Sequence, residues 1–234
     1  MRIRERHNVL CDTGVDETLR VVGCTHAGGG GPADDFAPRA DLFYEFADHV
    51  GWGTLRYAGD ILEGWQFTRD QIEQQYPHLV SAYRMGVGVH GNHDKAISKH
   101  AATLRMGNVL LAHGHQADPF NSRYRLIGRV LIRIAKWLEW CGLDVDDPSW
   151  ATPAALGGSD YTAYVSKYVE AWVQKVLLAE APVALIYAHT HRAYISPLPG
   201  QRCIANAGCW ASDHQPCSAV RVEPGRVTLL EIEP

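Results

Sequence analysis

The stretch LRVVGCTHAGGGG, residues 19–31, sets a short apolar run against an abrupt polar end: Cys24, Thr25 and His26 follow Val21, Val22 and Gly23, and four glycines begin at Gly28. A run this short, rich in β-branched residues and closed by glycine, reads as a buried strand that ends in chemically active side chains. The pattern recurs, with TLRYAGD ending at Asp60, GVGVHGNHD at Asp94, NVLLAHGH at His115 and PVALIYAHTH at His191. Helical periodicity over 39–50 and 68–83 separates the early runs, so strands and helices alternate and the fold class is α/β. Ligands in layered α/β folds gather where strands end in loops, which predicts that these polar ends converge. The closing runs CIANAG, SAVRVE and RVTLLEIE read as further short strands.

Composition bounds the rest. The chain has 234 residues with 46% hydrophobic content, enough for one core, and a single domain over 1–234 is expected. Lys+Arg 22 against Asp+Glu 26 gives a net charge of -4, so no basic field exists to hold a polyanion and nucleic acid is not an expected partner. The six cysteines are scattered rather than arranged as a disulfide framework, and no run reaches the roughly 18–20 apolar residues of a membrane span. These features, with a first segment that lacks an apolar leader core, lead us to expect a cytoplasmic location. Twelve histidines, several in pairs such as His113 with His115 and His189 with His191, suggest a metal site.

One region breaks the rhythm. Ile127, Val130, Leu131, Ile134 and Leu138 recur at helical spacing opposite Arg125, Arg129, Arg133 and Lys136, and Tyr161, Tyr164, Val165, Tyr168, Val169, Trp172 and Val176 repeat the pattern. The pair predicts a helical hairpin inserted at about 119–180. Its aromatic stripes suit packing on the core or across a homodimer as well as they suit a cap over the site. Docking of the basic face with Trp137 and Trp140 at a membrane surface is a weaker expectation.

In order, the polar clusters are Cys24-Thr-His26, Gly59-Asp60-Ile-Leu-Glu63, Gly91-Asn92-His93-Asp94, His113-Gly-His115 and His189-Thr-His191. This succession resembles the calcineurin-like metallophosphoesterase superfamily, whose motifs run D-x-H, G-D, G-N-H-D/E, an isolated H often followed by G, and G-H-x-H. The likeness covers nearly the whole chain, because Asn206-Ala-Gly208-Cys-Trp210 is similar to the segment after the last motif. The GDILEGW and AHGHQADPFN stretches look most like the UDP-2,3-diacylglucosamine diphosphatase branch. That branch usually carries arginine where this chain has His93. The resemblance implies a four-layer α/β/β/α sandwich and two divalent or trivalent metal ions, zinc, iron or manganese.

By the same resemblance, Asp60 would bridge both ions, with Asn92, His113 and His189 completing one and His26, His191 and residue 24 the other. His93 would stay off the metals and act on the leaving oxygen, oriented by Asp94 or Glu63. Hydrolysis of a phosphate monoester, diester or diphosphate by a metal-bridging hydroxide is the implied activity, on a small phosphorylated molecule that a cap would allow to be amphipathic. Two metals about 3.5–4 Å apart provide the nucleophile and the counter-charge that such chemistry needs. Residues two apart on an extended strand share a face, so His189 and His191 can both reach one centre.

Cys24 departs from the family pattern, which has Asp there. Three readings stand open: a thiolate ligand that favours softer metals, a weakened metal site in which the thiol is only a small buried group, or replacement by Asp34 or Asp35 from beyond the glycines. The second leads to an alternative function, a catalytically degraded binding or scaffold protein. His26, Asp60, Asn92, His93, His113, His189 and His191 argue against wholesale decay. Arg192 is a candidate phosphate contact, and glycines 28–31 are read as a connection beside the site rather than a phosphate cradle, since no Walker-type lysine follows. Ala188 takes the place of the family's usual Gly, which matters only if that backbone needs a positive φ.

Overall fold

A computed structural model describes residues 1–118, 161–211 and 216–234. The strands are β1 (Arg2–Leu10), β2 (Leu19–Val22), β3 (Leu55–Tyr57), β4 (Val87–Gly88), β5 (Thr103–Met106), β6 (Val109–Ala112), β7 (Ala184–Tyr187), β8 (Tyr194–Leu198), β9 (Arg202–Asn206), β10 (Cys217–Glu223) and β11 (Arg226–Glu233). They form two sheets, one ordered β1-β11-β10-β2-β3-β4 and the other β5-β6-β7-β9-β8. The helices are α1 (Ala40–Val50), α2 (Arg69–Gln75), α3 (Pro77–Met85) and α4 (Tyr161–Glu180).

Strand alternation divides the core into layers. Val22, Leu230 and Ile232 face α1, α2 and α3 and join Phe43, Phe46, Leu79 and Trp210 in one apolar cluster. Their neighbours Val21, Leu229 and Val227 face the other way and meet Leu111, Ile186 and Ala205 of the second sheet. On that sheet Leu110, Leu185 and Ile204 point outward against Val169, Val173 and Leu177 of α4. Period-two side chains thus give two sheets three apolar interfaces, and the architecture is the expected α/β/β/α sandwich. The second half of the predicted hairpin is a helix, and its Val169, Val173 and Leu177 form the sandwich's outer layer. Residues 119–160, including the first predicted helix and its basic face, lie outside the described residues. Among the described residues no helix is long and apolar enough to cross a membrane.

Two expectations change. The helix predicted over 68–83 is broken: α2 ends at Gln75, Tyr76 sits at φ -129 and ψ 59, and α3 restarts at Pro77. Proline has no N–H to continue the ladder and disfavours helical backbone in the residue before it. The first nine-residue strand, RIRERHNVL, was not foreseen. It is an edge strand in which Arg2, Arg4, Glu5 and Arg6 interrupt the apolar residues, so it shows no apolar run. Register against β11 holds it, with Arg4 3.2 Å from Glu233 and Arg6 paired to Glu231.

The topology places the polar ends. β2, β3 and β4 run parallel, as do β6, β7 and β9, so within each sheet these strands finish at one edge. The loops are stitched together there: Cys24 N–H donates to the Gly59 carbonyl (3.0 Å), His26 N–H to Asp60 (3.0 Å), Ala188 N–H to His113 (3.1 Å) and Trp210 N–H to Cys24 (3.1 Å).

Candidate metal centre

Five of the predicted ligands share an uncommon backbone. Cys24, His26, Asp60, His189 and His191 all have positive φ, between 49° and 70°. Side chains disfavour that region by roughly 1–3 kcal/mol per residue, and such strain persists where the surrounding structure imposes it. Here the loop-to-loop hydrogen bonds impose it. His189 and His191 therefore do not lie on an extended strand as the spacing suggested; β7 ends at Tyr187 and a left-handed turn separates them. The turn is held by Asn206, whose amide donates to the Ala188 carbonyl (3.0 Å) and to Thr190 Oγ1 (2.9 Å). Ala188 itself is not in the left-handed region, so the change from Gly carries no backbone cost.

The turn sends the two imidazoles to different sides. His191 Nε2 lies 3.3 Å from His26 Nε2, while the His189 ring sits 5.1 Å from that of His113. Between the sides stands Asp60, 1% exposed, with Oδ2 2.9 Å from His113 Nε2 and 4.0 Å from His26 Nε2. Its other oxygen accepts the His93 N–H at 2.8 Å. Candidate ligand atoms of Cys24, His26 and His191 lie within 4.8 Å of one another, as do those of Cys24, Asp60 and His113. Two donors at zinc distances of about 2.0–2.3 Å lie no more than about 4.6 Å apart, so both clusters are near the size that one ion requires.

Second contacts set which nitrogens are free to ligate. His113 places Nδ1 2.8 Å from the Ala58 carbonyl, which makes Nδ1 the protonated donor and leaves Nε2 with a bare lone pair. That nitrogen makes no hydrogen bond although the ring is fully buried, and it faces a carboxylate oxygen. Two facing acceptors are a poor arrangement until a cation stands between them. His189 Nε2 lies 3.0 Å from Asp118 Oδ2, so that carboxylate fixes the tautomer and leaves Nδ1 as the ligating atom. Sequence reasoning missed Asp118; its only sign was a carboxylate three residues after His115 of the fourth cluster. Burial lowers the His26 and His189 pKa values, which keeps both rings neutral and able to ligate.

Two carboxylates were candidates to orient His93, and they have different partners. Glu63 Oε2 lies 2.5 Å from His93 Nδ1 and 3.1 Å from His26 Nδ1. Asp94 instead receives the Gly91 N–H (2.7 Å), the Ile61 N–H (2.9 Å) and the Tyr83 hydroxyl (2.9 Å), and so holds the loops rather than the imidazole. The His93 ring also stacks on Trp65 at 3.9 Å and 14°. Burial opposes its charge, but Glu63 and Asp60 outweigh burial and push its pKa up to about 9. Burial likewise opposes charge on Glu63, yet His93 and His26 bring it down to about 2. The two carboxylates thus favour the protonated form of His93.

Other predicted residues settle as follows. Asp34 accepts the Gly28 (3.1 Å), Gly30 (2.8 Å) and Phe36 (3.3 Å) N–H groups and the Tyr76 hydroxyl (2.9 Å), so it braces the glycine loop and does not replace Cys24. The Gly28 and Gly30 amides turn to that carboxylate rather than outward to a phosphate. Asn92 is buried, and its backbone carbonyl accepts the Trp65 Nε1–H at 2.7 Å. Arg192 is exposed. His115 is buried beside His113, and burial pushes its pKa down to about 2.

Gly91 has no room for a side chain. A Cβ there would fall 2.6 Å from Asp60 N and still nearer to Asp60 Oδ1. Gly91→Ala is expected to cost about 1–3 kcal/mol by denaturant unfolding and to lower metal affinity, because the displaced group is the central carboxylate.

No protein-family model and no curated protein matches the chain. Among solved structures, it aligns with a conserved protein of Streptococcus pneumoniae described as a predicted phosphoesterase (13% identity, 98% of this chain and 95% of that one, TM-score 0.43). It aligns also with a metallophosphoesterase from Sphaerobacter thermophilus (13%, 93% and 89%, 0.46). A third is the zinc complex of Vps29 from Entamoeba histolytica (15%, 91% and 90%, 0.47).

Proposed function

We propose that this chain is a calcineurin-like metallophosphoesterase, a hydrolase of phosphate esters with two metal ions. The observation that carries the reading is the meeting of Cys24, His26, Asp60, His113 and His191 from separate loops, with the bare Nε2 of a fully buried His113 aimed at Asp60. His26, His191 and Cys24 would hold one ion, His113, Asn92 and His189 the other, and Asp60 would be shared. When bound, the ions supply an ionised water at neutral pH and a counter-charge for the phosphoryl oxygens.

The chain's own groups supply the rest. His93, protonated and clamped between Glu63 and Trp65, is placed to donate a proton from Nε2 to the departing oxygen. Asp118 and Ala58 hold His189 and His113 in single tautomers, so no reorientation is needed for ligation. Asp94 and Asn206 fix the loops that carry the ligands.

The test is metal content per chain by inductively coupled plasma mass spectrometry, run beside chromogenic monoester, diester and diphosphate substrates. About two ions per chain with turnover on one class supports the reading. No retained metal, and none restored by added zinc, iron or manganese, sinks it in favour of a binding protein on the same fold. That alternative rests on Cys24 alone.

A further inference from the structure

The side chain of Cys24 belongs to both ligand clusters. Its Sγ lies within 4.8 Å of the ligand atoms of His26 and His191, and equally within 4.8 Å of those of Asp60 and His113. A third group joins His26, Glu63 and His93, and of the residues shared between groups Cys24 alone links the His26–His191 side to the Asp60–His113 side among the described residues. The thiol is fully buried. The His189 backbone N–H donates to Sγ at 3.2 Å, and Cys209 donates its own S–H to the Cys24 carbonyl at 3.1 Å rather than to the sulfur, while burial pushes the thiol up to about 11, so a metal cation is what would make it a thiolate. An independent sign of a cation here is the fully buried His113 Nε2, which makes no hydrogen bond and faces into the same space.

We propose that Cys24 Sγ is a bridging thiolate, shared with Asp60 between the two metal ions, so that the centre is built for thiophilic metals. The proposal rests on the dinuclear reading above and adds the ligand that would distinguish this site. A sulfur about 2.3 Å from each of two ions spans separations up to about 4.6 Å, which includes the roughly 3.5–4 Å of dinuclear hydrolases. An aspartate at position 24 would offer hard oxygen donors. One sulfur shared by both ions makes both subsites soft, which favours zinc or iron over magnesium. On binding, the Sγ–H bond breaks, the electron pair goes to the metals and the proton leaves to water.

Cobalt(II) reads this directly, because thiolate ligation produces a near-ultraviolet charge-transfer band that oxygen and nitrogen ligands do not. Metal-free full-length protein is titrated with cobalt while the band and the bound metal are both followed. If the sulfur bridges, the band grows through the first and the second equivalent, and it is absent from Cys24→Ser and Cys24→Asp variants. Cys209→Ser retains it. A band that stops growing after one equivalent would show a ligand of one ion only and overturn sharing. Two equivalents bound with no band would overturn thiolate ligation while leaving the dinuclear reading intact. Failure to bind cobalt at all would overturn both. Cys24→Asp keeps a ligand at this position, so its binding of two equivalents without the band confirms that the variant is folded and that the signal belongs to the sulfur.

Discussion

Under the proposed function, replacing Asp60 by Asn is expected to lower both metal retention and phosphoester hydrolysis by more than about 100-fold. Loss of a group that merely orients a ligand typically costs 10- to 100-fold in affinity or activity, and Asp60 stands closer than that. Its Oδ2 faces His113 at 2.9 Å and His26 at 4.0 Å, so one carboxylate serves both sides of the centre. The amide has nearly the same shape but no charge, and its NH₂ would meet the bare His113 Nε2 as a hydrogen-bond donor. The neutral side chain would therefore satisfy locally the atom that otherwise needs a cation. Metal content by mass spectrometry and turnover of the best substrate check the expectation together. Full occupancy with full turnover in the variant would remove Asp60 from the centre.

His93→Gln is expected to act differently, reducing kcat by about 10²- to 10⁴-fold while leaving the metal content unchanged. The imidazole has no place in the proposed ligand set, yet Glu63 holds it at 2.5 Å and Trp65 covers its face. The loss should be largest for substrates with a poor leaving group and small for a nitrophenyl ester, whose departing oxygen needs little protonation. Equal losses on both substrates would assign His93 to phosphate binding instead of proton donation. Glu63→Gln should reproduce part of the same pattern, since it removes the carboxylate that keeps the ring charged. If metal falls away in His93→Gln, the imidazole is a ligand and the division of roles is wrong.

Much of this was legible in the chain. Short β-branched runs that each stop at a Cys, His, Asp or Asn are a local pattern, and local pattern determines both strand identity and which residues sit at strand ends. The layers follow from the same alternation, with Val21 and Val22, Leu110 and Leu111, and Leu229 and Leu230 dividing their side chains between opposite faces. The edge strand β1 was hidden because its stability comes from pairing with β11 rather than from an apolar run. The break between α2 and α3 comes from Pro77, a backbone effect that apolar periodicity over 68–83 does not register.

The sequence by itself determined the α/β class, the five polar clusters and the anomaly at position 24, because these are properties of neighbouring residues. Only the tertiary structure decided which clusters touch. It put Glu63 rather than Asp94 on His93, brought Asp118 to His189, turned Asp34 to the glycine loop, and set the Cys24 sulfur within 4.8 Å of ligand atoms of both His26 and His113. Contacts of this kind reach far along the chain, and the His189 N–H to Cys24 Sγ bond spans 165 positions. They are made by hydrogen bonds between loops that force five ligand residues into left-handed backbone, a conformation that their own preferences would not select.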